Sequence, residues 1–314
     1  MTGEVLLLGA TGTIGRATAR ALVAAGFSVV ALVRPGSASV PGCRVVAGRV
    51  TDPADVAAVM QAVRPMAVVS CLASRTGEPG DAWAVDHAAH SMVLKAAVAD
   101  GVKQFVLLSA ICVQKPALAF QRAKLAFEAE LRAAPLDWSI VRATAYFKSL
   151  SGQVARVRDG KPFLVFGDGR LTACKPISDA DLGAYLALCL TDPALRNRVL
   201  PVGGPGGAIT PLDQVAMLRR LTGKPVRVRH VPLALMDGII AGLSLGGILS
   251  AKLRAKAELA RIGRYYATES MLVWDGARYD ADATPAFGTD RLEDHYAAML
   301  RGEVGDDRGA HKVF

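Results

Sequence analysis

The sequence has few of the residues that build metal centres or disulfide frameworks. Its five cysteines include no Cys-x-x-Cys pair, and its five histidines show neither a His-x-His motif nor a four-residue helical spacing. Aromatic residues make up only 6% of the chain. Such scattered cysteines are typical of free thiols in a reducing compartment. The sequence therefore predicts neither a metal site nor a disulfide-rich extracellular domain.

The sequence also predicts no leader, and it has no long apolar run. The first predicted strand is entered by Val5, which leaves no room for a signal or transit peptide and predicts a cytoplasmic protein. The most apolar stretch, residues 235–250, has sixteen residues, fewer than the roughly 20 that a spanning helix needs. Its ordinary interpretation is a buried helix. The alternatives are a wall for an apolar ligand and a surface in peripheral contact with a membrane.

Acidic residues are outnumbered, with 28 Asp and Glu against 37 Lys and Arg, a formal charge of +9. This excess attracts anions, among them phosphorylated cofactors, carboxylated substrates, nucleic acids and acidic lipids. Nucleic acid is not predicted as a partner, because the chain has no zinc finger, RNP motif or long basic run. Five cations follow the apolar stretch, and they form either a solvated helix face or contacts with substrate carboxylates or lipid head groups: Lys252, Arg254, Lys256, Arg261 and Arg264.

Apolar strands and amphipathic helices alternate over the first half of the chain. The predicted strands are 5–8, 28–33, 44–47, 66–71, 104–108 and 138–141, and the helices are 14–25, 53–63, 82–100 and 117–134. Continuous apolar strands are typical of a parallel sheet that is buried on both faces. The predicted fold class is α/β, a Rossmann-type doubly wound parallel sheet with a smaller, sequence-interleaved C-terminal substrate portion.

A glycine-rich turn follows the first predicted strand. A strand that leads through such a turn into a helix directs backbone N–H groups and the positive end of the helix dipole at a pyrophosphate. The turn therefore predicts a dinucleotide-binding protein. The residues predicted to contact the cofactor here are Gly9, Thr11, Gly12, Thr13, Ile14 and Gly15.

Arg34 ends the second strand, nineteen positions after Gly15, where an NAD-specific fold would place an acidic residue. A guanidinium group there pairs with a 2′-phosphate, which favours NADPH. The alternative is a surface arginine beside Pro35. Asp52 is predicted to reach the adenine, although before Pro53 it is also a natural helix cap.

The fourth and fifth strands should end at the nicotinamide, because ligands of open α/β sheets lie outside the carboxyl ends of the strands. Ala73 and Ser74 are predicted there as cofactor contacts, and Ser109 and Cys112 as catalytic candidates. Lys124, fifteen positions after Ser109, is predicted to hold the nicotinamide ribose and to act in catalysis. The alternative is an exposed lysine on an amphipathic helix.

This architecture is that of the short-chain dehydrogenase/reductases, but their Tyr-x-x-x-Lys pair is here Phe120 and Lys124. In those enzymes a phenol whose pKa is lowered by the ammonium group protonates a carbonyl oxygen. Phe120 cannot do so. The chain therefore either binds the cofactor without catalysis or reduces a bond that needs no such donor, such as a carbon–carbon double bond conjugated to a large π-system.

Several longer motifs carry a more specific resemblance. They are SAICVQKP at 109–116, FQRAKL at 120–125, IVRATAYFKSL at 140–150, FGDG at 166–169, ACKPIS at 173–178 and IGRYYATESML at 262–272. Over about residues 4–300 the chain resembles the divinyl chlorophyllide a 8-vinyl-reductase family, an atypical branch of that superfamily. It departs from the family pattern at position 143, where the family has a proline after the Val-Arg pair and this chain has Ala143.

The resemblance implies NADPH-dependent reduction of the C8 vinyl group of a divinyl chlorophyllide or protochlorophyllide to ethyl, in chlorophyll or bacteriochlorophyll synthesis. The substrate itself would carry the magnesium. Tyr146, Lys148 and Cys112 are the candidate proton donors, with packing against the macrocycle as the alternative for Tyr146. Two other functions stay open: a non-catalytic NADP(H)-sensing regulator, and an isoflavone-reductase-like enzyme acting on another conjugated double bond.

The predicted domains are interleaved in the sequence. Residues 1–150 are predicted to form the NADP-binding domain, to which 178–204 returns. Residues 151–177 and 205–302 are predicted to bind the substrate, and 303–314 to form a flexible tail.

Overall fold

The computed structural model describes residues 3–305, so residues 306–314 of the predicted tail lie outside the described residues. The strands, numbered in chain order, are β1 (Glu4–Leu8), β2 (Ser28–Val33), β3 (Arg44–Ala47), β4 (Ala67–Ser70), β5 (Gln104–Ala110), β6 (Asp137–Ala143), β7 (Phe163–Phe166), β8 (Arg198–Val202), β9 (Val228–Val231), β10 (Val273–Trp274) and β11 (Tyr279–Asp280).

The α-helices are numbered in the same way. They are α1 (Thr13–Ala24), α2 (Pro53–Val63), α3 (Pro79–Ala82), α4 (His90–Ala99), α5 (Ala119–Ala133), α6 (Phe147–Leu150), α7 (Gly152–Arg158), α8 (Asp179–Thr191), α9 (Pro211–Thr222), α10 (Leu233–Gly246), α11 (Ala251–Tyr266) and α12 (Leu292–Arg301). A π-helix covers Trp83–Ala89, and short 3₁₀-helices cover Ile111–Gln114 and Pro193–Leu195.

Seven strands form one parallel sheet in the order β3-β2-β1-β4-β5-β6-β8. Its central strands β1, β4 and β5 are almost entirely buried, because nearly all their residues are apolar and both sheet faces are covered. Phe105, Phe127 and Ile140 lie in the core that packs on one face. The winding direction changes between β1 and β4, and such a point forms a ligand crevice at the carboxyl ends of the strands. The predicted doubly wound α/β fold is confirmed.

The chain forms two compact units. Within the described residues, the first comprises 3–74, Pro79–Ala143 and Asp179–Val202, and it contains the seven-stranded sheet. The second comprises Arg75–Glu78, Thr144–Ser178 and 203–305. The N-terminal part of the first unit thus ends at Ala143, whereas the sequence analysis placed this boundary at 150.

The second unit has a core of its own. Two two-stranded sheets, β7-β9 and β10-β11, belong to it. Phe163, Leu218 and Tyr296 are buried in a cluster that helices α7, α9 and α12 share with β7. Tyr296 Oη donates a hydrogen bond to Leu150 O or Gln214 Oε1, both at 2.9 Å. Its polar end is therefore satisfied inside an apolar core.

The predicted helix 82–100 is confirmed in its extent, because α3, the π-helix and α4 follow one another without a break. The π-helical part was not predicted, since its wider turns do not show in a pattern of period 3.6. The prediction for the most apolar stretch is wrong. Residues 235–250 do not form a buried helix: α10 ends at Gly246, and Met236 is its only buried residue. Its main partner is α11, which covers one side of it. None of the helices within residues 3–305 is both long and apolar enough to cross a bilayer.

Candidate cofactor and active site

The glycine turn brings the chain close to itself at two glycines. Gly9 has a φ of +71°, and a Cβ there would lie 2.7 Å from the carbonyl carbon of Cys71. A Cβ on Gly15 would lie 2.1 Å from Gly9 O. Only glycine fits either position, so the backbone of the turn can lie close to the N-terminus of α1. A dinucleotide's pyrophosphate fits such a backbone surface.

Helix α1 begins without a capping side chain. Its N-cap is Gly12, which makes no side-chain cap hydrogen bond. An anion commonly satisfies the first-turn N–H groups at such a helix end and also interacts with the helix dipole. Thr11, Thr13 and Ile14 are half-buried around this turn. The predicted pyrophosphate contacts thus lie together in the first unit.

Arg34 lies immediately after β2, and its side chain is exposed. Sequence analysis missed a second guanidinium group here. Arg16 Nε donates to Thr11 O at 3.2 Å, and its Nη1 donates to Ser39 O at 3.4 Å. Arg16 thus joins the glycine turn to the loop that begins at Arg34.

Asp52 caps helix α2. Its Oδ1 accepts a hydrogen bond from Ala54 N at 2.9 Å, and Pro53 occupies the first helical position. This is the alternative that the sequence analysis left open. The adenine contact stays a prediction, because a carboxylate can accept more than one hydrogen bond.

Lys124 forms a buried ion pair. Its Nζ donates to Asp86 Oδ1 at 2.9 Å, and the side chains of Lys124 and Asp86 are 11% and 0% exposed. Asp86 Oδ1 also accepts a bond from Ser74 N at 3.3 Å. Within residues 3–305, Asp86 Oδ2 has no hydrogen-bond partner. The pair therefore joins the π-helix to helix α5, and the Ser74 bond ties the loop after β4 to it. One buried acceptor oxygen is left on Asp86.

The charges of this pair are set by two opposing effects. Burial raises the pKa of Asp86, but the Lys124 ammonium and the hydrogen bonds from Ser74 and Lys124 outweigh it and hold the pKa below its ordinary value. Asp86 is therefore a carboxylate at neutral pH. It supplies the counter-charge that a buried ammonium group requires.

His90 lies close to the pair and is neutral. Burial and then the Lys124 charge lower the pKa of His90 from 6.5 to about 4. His90 Nδ1 lies 2.9 Å from Val85 O, which can only accept, so Nδ1 carries the proton. The Ser70 hydroxyl then donates to Nε2 at 2.8 Å. Together, Asp86, Lys124, His90 and Ser70 are called the Lys124 cluster below.

A second buried carboxylate lies one helical turn beyond Lys124. Glu128 Oε1 accepts a hydrogen bond from Ser109 Oγ at 2.6 Å, and Arg142 binds both carboxylate oxygens, at 3.2 and 2.5 Å. The Glu128 side chain has no exposed surface. The Ser109 hydroxyl hydrogen is therefore engaged with Glu128, and this carboxylate joins α5 to the ends of β5 and β6.

The other predicted residues are distributed between the units. In the first unit, Ala73 is exposed and Phe120 is buried in α5. Cys112 is buried in a 3₁₀-helix, and its backbone oxygen accepts a hydrogen bond from Gln121 Nε2. Tyr146 and Lys148 belong to the second unit, where both are half-buried at the start of α6.

Like Arg16, the residues Asp86, Glu128 and Arg142 were missed by sequence analysis. Asp86 lies 38 positions from its partner, and no local pattern links the two. Glu128 offered a weak signal, since a glutamate four residues after Lys124 shares its helix face.

Comparison with known proteins agrees with this geometry. A family model described as NAD(P)H-binding matches residues 9–193. The sequence is 45% identical to divinyl chlorophyllide a 8-vinyl-reductase of Oryza sativa subsp. indica, an alignment that covers 99% of this chain and 82% of the relative. The chain belongs to the divinyl chlorophyllide a 8-vinyl-reductase family. The predicted family is therefore confirmed.

A second member of the 8-vinyl-reductase family, from Zea mays, is also 45% identical over 99% of this chain and 82% of its own length. Among solved structures, the NADPH complex of NADPH-dependent quinone oxidoreductase QOR2 from Escherichia coli matches with a TM-score of 0.68 at 19% identity. That match covers 94% of this chain and 99% of the other. It shows that this 8-vinyl-reductase family member shares its fold with an oxidoreductase.

Proposed function

We propose that this protein reduces the C8 vinyl group of a divinyl chlorophyllide or protochlorophyllide to an ethyl group, with NADPH as the reductant. The observation that carries the proposal is the 45% identity to the rice reductase across 99% of the chain. The first unit adds a turn suited to a pyrophosphate and a buried lysine near the ends of β4 and β5.

NADPH fits the residues at both ends of the predicted site. The backbone at Gly9, Gly12 and Gly15 would hold the pyrophosphate. Arg34, with Arg16 beside it, would hold the 2′-phosphate. Lys124 would donate to a hydroxyl of the nicotinamide ribose, held in place by Asp86 at 2.9 Å.

When bound, NADPH supplies a hydride to one carbon of the vinyl group. The conjugated macrocycle spreads the charge that this addition leaves, and the other carbon then takes a proton. Phe120 is compatible with this reaction because no alkoxide forms that a phenol would have to protonate. Tyr146, Lys148 and Cys112 are the proposed proton sources on the chain, and water is the alternative.

The decisive experiment incubates the protein with NADPH and divinyl protochlorophyllide. We expect the Soret band to shift to the blue and chromatography to show the monovinyl pigment. Lys124→Met and Tyr146→Phe should each lower turnover. If neither variant has a lower turnover than the parent, neither residue takes part in the mechanism. NADPH binding without any monovinyl product would instead favour a cofactor-sensing regulator, which is the function that Phe120 leaves open.

The second unit is the proposed substrate-binding part. Its cations suit the carboxylate of a flat pigment, and its apolar helices suit the macrocycle. We further propose that the protein works in the cytoplasm in peripheral contact with the membrane that holds its pigments. The two plant relatives are themselves named as chloroplastic.

A further inference from the structure

Helices α10 and α11 pair as an antiparallel hairpin in the second unit. Near the open end, Arg264 Nε donates to Asp237 Oδ1 at 2.8 Å. Further along, Arg261 Nη2 donates to Ser244 Oγ at 2.7 Å. Close to the turn, Arg254 donates to Gly247 O at 3.3 Å. These bonds align the two helices in opposite directions. Residues 245–249 therefore lie at the closed end of the hairpin, which is called the tip below.

The tip exposes large apolar side chains to an unusual degree. Leu245 and Ile248 are each 72% exposed, and Leu249 is 94% exposed. Leu235 and Ile239, one turn apart on α10, are also at least half exposed. Single exposed leucines are common on protein surfaces, but a contiguous apolar patch marks an interaction site.

The charge next to the tip has one sign. Residues 238–257 contain no Asp or Glu, and their three cations, Lys252, Arg254 and Lys256, are all exposed. Lys252 and Lys256 are four residues apart and therefore share a face of α11. Apolar side chains flanked by Lys and Arg are the pattern of a protein segment that enters the interface of an anionic bilayer.

We propose that the tip of this hairpin docks the protein on an anionic lipid surface. Leu245, Ile248 and Leu249 would enter the acyl boundary, while Lys252 and Lys256 contact the lipid phosphates. The fourteen residues of α10 span about 21 Å, too short for a hydrocarbon core of about 30 Å, so the hairpin lies in the interface. The proposal specifies the membrane contact proposed above and does not depend on reductase activity.

A second copy of the chain is a weaker candidate for the same surface. A two-fold symmetric contact places the same patch of each copy against the other. The three cations beside one tip would then face the three cations of the other copy. Residues 238–257 contain no acidic residue that could neutralise them. A lipid phosphate layer supplies the opposite charge instead.

Flotation with vesicles of phosphatidylcholine, with and without phosphatidylglycerol, tests the proposal without NADPH or pigment. We expect binding only to the anionic vesicles. Ile248→Asp/Leu249→Asp should weaken it about 100-fold. Lys252→Gln/Lys256→Gln should weaken it about 25-fold, from roughly fivefold for each cation near an anionic surface. Val304→Asp and Lys95→Gln/Lys103→Gln are the matched controls, since these residues are exposed outside the hairpin.

Three results would overturn the proposal. Vesicle binding by the Ile248→Asp/Leu249→Asp variant equal to that of the parent would place the contact elsewhere. Loss of a dimer in light scattering, without a change in vesicle binding, would assign the tip to a second copy. Pigment turnover lost in a vesicle-free assay, with vesicle binding kept, would make the tip a substrate wall. Circular dichroism and NADPH binding check that each variant is folded.

Discussion

The glycine turn and the Lys124 cluster both belong to the first unit, but the turn acts through its backbone and the cluster through its side chains. Gly9 and Gly15 act by having no side chain, since a Cβ at either would meet backbone at 2.7 Å or less. Asp86, Lys124 and His90 act through buried side chains whose charges depend on one another. The turn is therefore sensitive to added atoms, whereas the cluster is sensitive to lost charge.

The largest effect should come from removing the charge of Asp86. Asp86→Asn keeps the shape of the side chain but leaves a Lys124 side chain that is only 11% exposed without its counter-charge. Breaking such a buried pair costs about 3 to 5 kcal/mol of unfolding free energy. Urea denaturation followed by circular dichroism measures this loss.

The matched control is Asp86→Asn/Lys124→Met, which removes both charges. It should recover most of the lost stability while turnover stays low. If Asp86→Asn alone is as stable as the parent, the ion pair does not determine the structure of the cluster.

The two regions also differ in how far the sequence predicts them. The glycine turn is local: strand, turn and helix follow one another within residues 4–24, so periodicity and glycine positions suffice to predict it. Lys124 was placed near the cofactor by its distance from Ser109. Its partner Asp86 lies in a π-helix 38 residues away, and that pairing exists only once β4 and α5 are assembled.

The second unit shows the same limit. The apolar composition of residues 235–250 predicts that these residues are buried against a partner, but composition does not identify that partner. The hairpin leaves the tip exposed, and a buried helix was therefore the wrong inference.

Acid should destabilise the protein through His90. Its pKa is lowered from 6.5 to about 4 on folding, so the unfolded chain binds more protons between these values. The contribution of His90 to the free energy of unfolding is fully present above about pH 6.5. It is lost as pH falls towards 4, and the loss is on the order of 3 kcal/mol. Urea midpoints measured across this range test the loss. His90→Gln should flatten this part of the profile, and a variant with the parent's slope would assign the dependence to other groups.

Adding one methyl group should disable the glycine turn. Gly15→Ala places a Cβ 2.1 Å from Gly9 O, so the turn must shift, and we expect NADPH affinity to fall about 100-fold, or about 2.7 kcal/mol. Fluorescence titration measures the affinity. Gly207→Ala is the control, because no atom lies within 4 Å of its added Cβ. Unchanged NADPH affinity in a folded Gly15→Ala variant would contradict the role of the turn.

Arg34 sharpens the comparison because it would add a charged contact to a site otherwise made of backbone. Arg34→Glu should lower NADPH affinity about tenfold and leave NADH affinity nearly unchanged, since only NADPH carries the 2′-phosphate. The effect is the smallest of the four because Arg34 is exposed and its interaction is screened by salt. The ratio of NADPH affinity to NADH affinity should accordingly fall as ionic strength rises. Arg20→Glu, an exposed arginine on α1, controls for net charge. Equal losses for NADPH and NADH would mean that Arg34 shapes its loop and does not read the phosphate, and the 2′-phosphate contact would then pass to Arg16.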